Sequence, residues 1–481
     1  LFTLLYAIPV AHNAVSRAFW LDELFTYYIV TMPTWAGTWD LLRNGPDQNP
    51  PLFYALTRLV VGVLGESEWA FRLPAMVGYW VFCVALYVWV RLLGGGRVAA
   101  LVAMATPILT KALYYASEAR PYGLVLGCLG VGLASWQMTR YPNWRGIGLF
   151  GTGTGLSTAL ALHYLALLPI GVLWCVEGFA AWRLRQIDRA RWLALGAPLT
   201  IAGISLAFFH QQARQGFWKI VLEWRELVDF YRWLAGSPTY LALCAVVGLL
   251  VAWGRISAMS PTGRAHPTAV NLWMVTSVAL LVLPLGWMLF LKATRQTVFQ
   301  ERYFLVSLVG LGGLTAYALR HLPERQAPVA AAAVWCLACV PAVQAGLRPW
   351  RLVPPSVAEI IALPDPTYPI VAPPHIYFPI RHYYPEQFEQ LIHVDSRKRQ
   401  PHSTGTGLWA LQRHPQSPPW LDNDEFFSQW KENFYFVCHR TYMKHWLGEF
   451  SRRGYPIVRE TPDYLVYEWQ QPPSPGVSSR R

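Results

Sequence analysis

Long apolar runs fill the first three quarters of this 481-residue chain and constrain its fold more than any other feature. A membrane-spanning helix requires about 20 mainly apolar residues. Eleven runs approach that length, near 1–19, 72–90, 98–115, 121–138, 146–162, 164–182, 192–209, 237–254, 270–291, 303–319 and 327–346. Only 14% of the residues are charged, against roughly 25% in soluble domains, so the sequence predicts a mainly α-helical, polytopic membrane protein. Since Leu1 already lies inside the first run, we expect N-terminal sequence to be missing there.

The basic residues between the runs predict the orientation of the spans. Arginines cluster in alternate gaps, at Arg91 and Arg97, Arg140 and Arg145, Arg183 to Arg191, Arg255 and Arg264, and Arg320 and Arg325. Since basic loops stay in the cytoplasm, the remaining gaps and the C-terminal part are expected on the extracytoplasmic side of a bacterial plasma membrane. The apolar segment 51–65 is short and would reverse every later loop if it crossed, so it is predicted to lie in the interface. Most arginines lie in the short gaps where topology places them, which explains the net charge of +13. Nucleic acid is therefore excluded as a partner, and membrane lipids are expected around the chain.

Composition divides the chain into two predicted domains. Residues 1–346 form a transmembrane domain, whose first extracytoplasmic loop, 20–71, carries amphipathic helices. Charged residues return in 347–481. There, short apolar runs alternate with helix-like stretches: the runs are 369–372, 391–394, 434–438 and 464–469, and the stretches are 376–384 and 441–453. This alternation is typical of an α/β domain. The seven cysteines show neither a disulfide framework nor a metal-ligand spacing, and no metal site is predicted.

Two adjacent carboxylates, Asp22 and Glu23, follow the first apolar run. Carboxylates at a membrane boundary are expensive to desolvate, so they face water, a cation or a polar cavity. A solvated helix terminus explains the pair equally well when it is considered alone. The motifs that accompany the pair favour a functional site.

Four further motifs fall on the same predicted side of the membrane. They are Asn49-Pro50-Pro51-Leu52-Phe53-Tyr54, Phe71-Arg72-Leu73-Pro74, Tyr115-Ala116-Ser117-Glu118-Ala119-Arg120-Pro121-Tyr122 and Glu301-Arg302-Tyr303-Phe304. Together with Asp22-Glu23, their order and spacing resemble the GT-C superfamily, in its group of protein O-mannosyltransferases and lipid A aminoarabinose transferases. The resemblance covers about residues 15–310 and rests on the motifs as a set. One departure is Asn49, because the group commonly has His before the Pro-Pro pair.

The resemblance implies an enzyme that takes a sugar from a polyprenyl-phosphate carrier. Asp22 matches the catalytic carboxylate, a suitable base for an acceptor hydroxyl, and Glu23 is grouped with it. Arg120 and Arg302 are the expected ligands of the carrier phosphate, since guanidinium groups bind phosphate bidentately, and Lys111 is a third candidate. Substrate contacts are expected from Glu118, Asn49, Tyr54, Tyr122 and Tyr303. A local ion pair between Glu118 and Arg120 is the structural alternative at that motif.

The expected reaction is a single displacement with inversion, from a polyprenyl-phosphate sugar to an extracytoplasmic hydroxyl. Neither the sugar nor the acceptor, whether lipid, glycan or protein, follows from the residues, and a divalent cation, which some GT-C enzymes use, stays an open option. Two alternatives stay open as well. A transporter of lipid-linked sugar or solute would show paired halves with interrupted helices, which the sequence lacks. A non-catalytic envelope-assembly protein would not need Asp22 with both arginines.

Overall fold

The structure is a computed structural model. It describes residues 1–44, 47–213, 222–257, 267–295, 299–352, 365, 367–372, 374–385, 391–395, 411, 414–415, 420–422, 432–440, 448, 450–452, 454–461 and 464–469. The α-helices in these ranges are α1 Phe2–Ser16, α2 Leu21–Val30, α3 Trp35–Arg43, α4 Leu52–Leu64, α5 Glu68–Leu92, α6 Arg97–Leu109, α7 Tyr122–Met138, α8 Arg145–Leu162, α9 Leu167–Leu184, α10 Arg189–Gly196, α11 Pro198–Ala213, α12 Trp224–Ala235, α13 Pro238–Ser257, α14 Pro267–Thr294, α15 Ser307–Ala318, α16 Ala327–Gly346 and α17 Pro374–Tyr383. The strands are β1 Ile370–Ala372, β2 Leu391–Asp395, β3 Trp420–Asp422, β4 Phe434–His439, β5 Ile457–Glu460 and β6 Tyr464–Trp469.

All eleven predicted apolar runs fall on helical segments, which confirms the mainly helical, polytopic membrane fold. The number of complete crossings is smaller than eleven when it is judged by helix length and composition. Within the described ranges, four helices qualify: Glu68–Leu92, Tyr164–Leu184, Leu272–Thr294 and Glu324–Gly346. The number rises to six if two bent pairs each count as one span, namely Arg97–Leu109 with Lys111–Ser117 and Trp224–Ala235 with Pro238–Trp253. The difference arises because apolar runs break into shorter helices: the run 98–115 bends by 75° after Leu109, and the run 192–209 is divided between α10 and α11.

Residue contacts divide the chain into two compact units. The first unit consists of Leu1–Ser16, Asn49–His210 and Lys219–Arg351, and the second of Arg17–Gln48, Gln211–Trp218 and Leu352–Arg481. The part of the first loop up to Gln48 therefore packs with the C-terminal region, a long-range association that composition did not indicate. As functional domains, 1–346 and 347–481 stay a prediction.

Close helix packing and buried polar bonds order the first unit. A Cβ atom on Gly123 would lie 2.3 Å from the carbonyl oxygen of Ala75, and one on Gly127 would lie 2.4 Å from that of Gly78, so α5 and α7 touch through their backbones. Small residues allow such approach between membrane helices. The Arg72 guanidinium, fully buried, donates to the Ala14 carbonyl at 2.8 Å and ties α5 to α1.

The second unit combines a sheet with helices from both ends of the chain. The strands form one sheet in the order β3-β2-β1-β4-β6-β5, with β1 parallel to β2 and β4 and with β6 antiparallel to β4 and β5. Helix α2 packs on α17, where Phe25 meets Phe378 edge to face and Tyr27 meets His382. The Tyr383 hydroxyl accepts from the Phe19 amide at 2.6 Å.

The sheet confirms the predicted α/β region. The four predicted short runs correspond to β1, β2, β4 and β6, and the predicted helix 376–384 corresponds to α17. Strands β3 and β5 were not predicted, because their segments, WLD and IVRE, are short and end in charged residues, so neither forms an apolar run. Most of the predicted helix-like stretch 441–453 lies outside the described residues.

Candidate active site

Two of the predicted motifs meet through a hydrogen bond in the first unit. After α6 the chain bends and forms a short 3-10 helix, Lys111–Ser117. Tyr115 on this helix donates its hydroxyl hydrogen to Oε1 of Glu301 at 3.1 Å, across 186 residues of sequence. Glu118 and Arg302 also interact electrostatically with the Tyr115 hydroxyl. The Tyr115–Tyr122 motif and the Glu301–Phe304 motif therefore lie together.

Aromatic rings surround the Arg302 side chain. Its guanidinium carbon lies 6.0 Å from the ring centre of Tyr122 and 5.9 Å from that of Tyr303, within the range of a cation–π interaction. The Tyr122 ring also meets Tyr115 edge to face at 5.8 Å. The ring centre of His163 lies 5.7 Å from that of Tyr122 and 5.4 Å from that of Tyr303. We call the following group the Tyr–Arg cluster: Tyr115, Glu118, Tyr122, His163, Glu301, Arg302 and Tyr303.

An apolar groove adjoins the Tyr–Arg cluster. Its polar lining residues are Tyr122, His163, Arg302 and Tyr303, and its apolar ones are Val125, Leu126, Leu129, Leu165, Ala166, Pro169, Leu305 and Val306. Tyr122 opens α7, and Leu129 lies seven residues further, roughly 10 Å along the helix. The lining therefore changes from polar to apolar along α7. The Arg302 guanidinium therefore lies beside apolar surface.

The backbone fixes the hydrogen-bonding role of His163. Its Nδ1 accepts from the Leu165 amide at 3.1 Å, so in the neutral ring the proton sits on Nε2. His163 caps the short 3-10 helix Tyr164–Ala166 in this way and is only 8% exposed. The ring is thus held in one orientation beside Arg302.

The predicted residues Glu118 and Arg120 lie in the buried turn between the 3-10 helix and α7. Glu118 is fully buried and Arg120 is 4% exposed, and the Arg120 amide donates to the Glu118 carbonyl at 2.7 Å. Lys111 lies at the other end of the same 3-10 helix and is exposed. Within the described part of the chain no ion pair involves Lys111. The structure therefore joins Glu118 to the Tyr–Arg cluster through Tyr115, whereas no hydrogen bond or ion pair links Lys111 to the cluster within the described residues.

Asn49 and Tyr54 form a separate polar pair in the first unit. The Asn49 amide donates to the Tyr54 hydroxyl at 3.4 Å, and the two side chains are 5% and 0% exposed. Tyr54 lies in the first turn of α4 and packs against Phe53 edge to face. This contact gives both residues a structural role, and substrate binding by them stays a prediction.

The two adjacent acids at the start of α2 have different environments. Glu23 is fully buried, pairs with Arg17 at 3.3 Å and accepts from the Trp20 amide at 3.3 Å. Through this bond with the Trp20 amide, Glu23 caps the first turn of α2. Asp22 is partly exposed in the same turn. These contacts give Glu23 a structural task, and catalytic roles for Asp22 and Glu23 stay predictions.

No group of three or more His, Cys, Asp or Glu side chains that could hold a metal ion occurs among the residues with described positions. The sequence did not lead to Tyr115, Glu301 or His163 as site residues. Tyr115 and Glu301 belong to two of the four motifs, so the motifs could have indicated them. His163 stands alone at a helix end, and its position beside Arg302 depends on the tertiary fold.

No protein-family model and no curated protein sequence matches the chain. Two solved structures of ArnT from Cupriavidus metallidurans match it over nearly its whole length. The structure bound to undecaprenyl phosphate gives a TM-score of 0.53 with 13% identity and covers 97% of each chain. The apo structure gives 0.51 with 13% identity and covers 93% of this chain and 96% of that one.

The chain has the ArnT fold. This fold confirms the predicted fold class, a polytopic helical part with a C-terminal α/β region. At 13% identity the likeness concerns the fold, so the roles of individual side chains rest on the geometry of the Tyr–Arg cluster and of α2.

Proposed function

We propose that this chain is an inverting glycosyltransferase that moves a sugar from a polyprenyl-phosphate donor to an acceptor hydroxyl outside a bacterial plasma membrane. The observation that carries the proposal is the Tyr–Arg cluster, in which motifs 186 residues apart meet beside an apolar groove. The ArnT fold supports a donor of this class, because ArnT from C. metallidurans was solved with undecaprenyl phosphate.

Arg302 is the proposed ligand of the carrier phosphate. A guanidinium group stays protonated and presents paired N–H donors to phosphate oxygens. The rings of Tyr122 and Tyr303 hold it in place, and His163 adds an N–H donor from Nε2. The isoprenoid chain would then follow the apolar lining beyond Leu126. Arg120 and Lys111 are retained as additional phosphate ligands on charge alone, and Glu118 as a contact to the sugar.

Asp22 is the proposed general base. In a single displacement, the acceptor oxygen attacks the anomeric carbon as the bond from that carbon to the phosphate oxygen breaks, which inverts the configuration. The hydroxyl proton passes to the Asp22 carboxylate. The bonding electrons leave with the polyprenyl phosphate, whose growing negative charge Arg302 stabilises. Glu23 supports this step by capping the turn that carries Asp22.

The decisive experiment measures polyprenyl phosphate released from a panel of polyprenyl-phosphate sugars by the purified full chain. Asp22→Asn should lower turnover by a factor on the order of 10², without changing the melting temperature. Release that requires neither Asp22 nor an intact Tyr–Arg cluster would contradict the proposal. Binding of donor without any release would instead favour a non-catalytic lipid-binding protein.

Arg302→Lys tests phosphate recognition with a matched control in Arg320→Lys. The control arginine also lies over a tyrosine ring, 3.9 Å from the centre of Tyr317, but at the other end of α15. Lysine keeps the positive charge but lacks the planar guanidinium with its paired N–H donors. At position 302 this loss should reduce donor affinity and donor-saturated turnover about 10-fold or more. The control should keep wild-type kinetics. Unchanged turnover in Arg302→Lys at saturating donor would remove Arg302 from the site.

A further inference from the structure

The end of helices α7, α8 and α9 that lies away from the Tyr–Arg cluster is strongly basic. Two acids, Glu177 and Asp188, are found in residues 139–192, together with six arginines: Arg140, Arg145, Arg183, Arg185, Arg189 and Arg191. We call this region the basic end. Arginines outnumber acids there, so the ion pairs in the structure show which arginines are neutralised.

Both acids of the basic end are already engaged. Glu177 is 2% exposed and pairs with Arg140 at 2.8 Å and with Arg191 at 2.7 Å. Trp136 also donates to Glu177, at 2.9 Å. Asp188 receives a bidentate pair of bonds from Arg145 at 2.7 and 2.8 Å. The two carboxylates therefore neutralise arginines that belong to the helix packing.

Three arginines are left over at the basic end. Arg183, Arg185 and Arg189 are exposed, and no ion pair joins any of them to an acid in the described part of the chain. Arg185 ends α9 in the left-handed region, with φ 52°. Glycine or asparagine is the usual residue at such a helix end, so the backbone does not favour an arginine there. The presence of an arginine at this position therefore has no explanation in the backbone conformation.

An apolar groove lies directly beside Arg185, between the end of α9 and α10. Its walls are Gly178, Ala181, Trp182, Arg185, Ile187 and Trp192. Trp182 is 76% exposed and Ile187 is 74% exposed. A Cβ atom at Gly178 would meet only the Trp192 ring, at 3.9 Å, so the glycine leaves one wall of the groove open. The groove thus presents aromatic and aliphatic surface with one guanidinium among it.

We propose that this groove binds one anionic phospholipid of the surrounding bilayer. The phosphate binds Arg185, while Arg183 and Arg189 add positive charge, and an acyl chain lies along Trp182, Ile187 and Trp192. Basic pockets between membrane helices are known to hold anionic head groups. The positive-inside rule explains arginines in a short loop, but it does not require an apolar groove with an arginine in its wall. Charge complementarity therefore selects an anionic lipid rather than a zwitterionic one.

Native mass spectrometry of the full chain in detergent tests this site with two lipids of identical chains, dioleoyl phosphatidylglycerol and dioleoyl phosphatidylcholine. The wild type should bind one phosphatidylglycerol more tightly than phosphatidylcholine, by a factor on the order of 10² for three basic residues. Arg185→Gln should lower phosphatidylglycerol affinity about 5-fold, and the triple Arg183/185/189→Gln variant should abolish the preference.

Two further variants separate groove binding from a general charge effect. Gly178→Leu fills the groove without changing charge and should weaken phosphatidylglycerol binding at least about 5-fold, since it removes apolar contact with the chain. Arg97→Gln, an exposed arginine on the same predicted side, should leave binding unchanged. Equal affinity for both lipids in the wild type, or unaltered binding in Gly178→Leu, would overturn the proposal. A dimer that Gly178→Leu converts to monomer would overturn it too, because a second copy would then occupy the groove.

Discussion

Replacement of Gly127 by alanine tests the packing that positions the start of α7. The new Cβ would lie 2.4 Å from the Gly78 carbonyl oxygen and 2.9 Å from the Gly78 Cα. Both are backbone atoms of α5, so no side chain can rotate away. Cβ contacts below 3.0 Å essentially never occur, and the two helices would have to separate by roughly half an ångström or more. Overpacking of this kind costs about 1–3 kcal/mol.

The control for Gly127→Ala is Gly171→Ala, in the interior of α9. A Cβ there meets nothing within 4 Å, so this variant should only gain helix propensity, about 1 kcal/mol. Thermal unfolding of the full chain in one detergent compares the two directly. Gly127→Ala should melt roughly 2–4 °C or more below the wild type, and Gly171→Ala at or slightly above it. Equal melting temperatures would show that α5 and α7 do not touch through their backbones.

Further predictions concern the acids. Glu23→Gln keeps an acceptor for the Trp20 amide but removes the charge that pairs with Arg17, so it should lower the melting temperature by the equivalent of about 1 kcal/mol. Donor-saturated turnover of the folded protein should fall less than in Asp22→Asn, and an equal kinetic loss would assign catalysis to both acids. Glu177→Gln should cost about 3–5 kcal/mol, because it leaves two largely buried arginines without their acid, and near wild-type melting would contradict this. Hydrogen bonding to Arg145 lowers the pKa of Asp188 from 3.8 to about 2, so its stabilisation is present above pH 4 and is lost as the pH falls towards 2. Asp188→Asn should therefore lower the melting temperature at pH 7, by the equivalent of about 1 kcal/mol or less for a side chain that is 20% exposed. The melting temperature of this variant should also fall less steeply below pH 4 than that of the wild type. An equally steep fall in both proteins would show that Asp188 does not cause it.

Much of the secondary structure could be predicted from the sequence, because apolar length and alternation are local properties. The breaks inside those runs could not, since the bend after Leu109 and the division between α10 and α11 depend on packing. Strand β3 was missed for a related reason: its three residues pair only with β2, and pairing is not visible in a short segment. Helix length and strand pairing are thus decided by tertiary contacts at these points.

The candidate site was predictable in its motifs and not in its contacts. The sequence predicted that the motifs with Glu118 and Arg302 lie on the same side of the membrane, but not that they touch. The bond from Tyr115 to Glu301 and the position of the His163 ring beside Arg302 required the fold, because they join three separate segments. The packing of α2 on α17 joins residues still further apart in sequence, and the composition of the chain does not predict it.

The two acids of the Asp22-Glu23 pair have different environments. Successive residues of a helix point about 100° apart, so two adjacent acids in a first turn cannot share one environment. Glu23 is buried and held by Arg17 and the Trp20 amide, whereas Asp22 stays partly exposed. The first turn of α2 is followed by residues that pack on α17, so the C-terminal region holds the helix on which the proposed base stands. In the proposed reaction the α/β region therefore acts on catalysis through the position of Asp22, which gives it a task even though none of the predicted site residues lies within it.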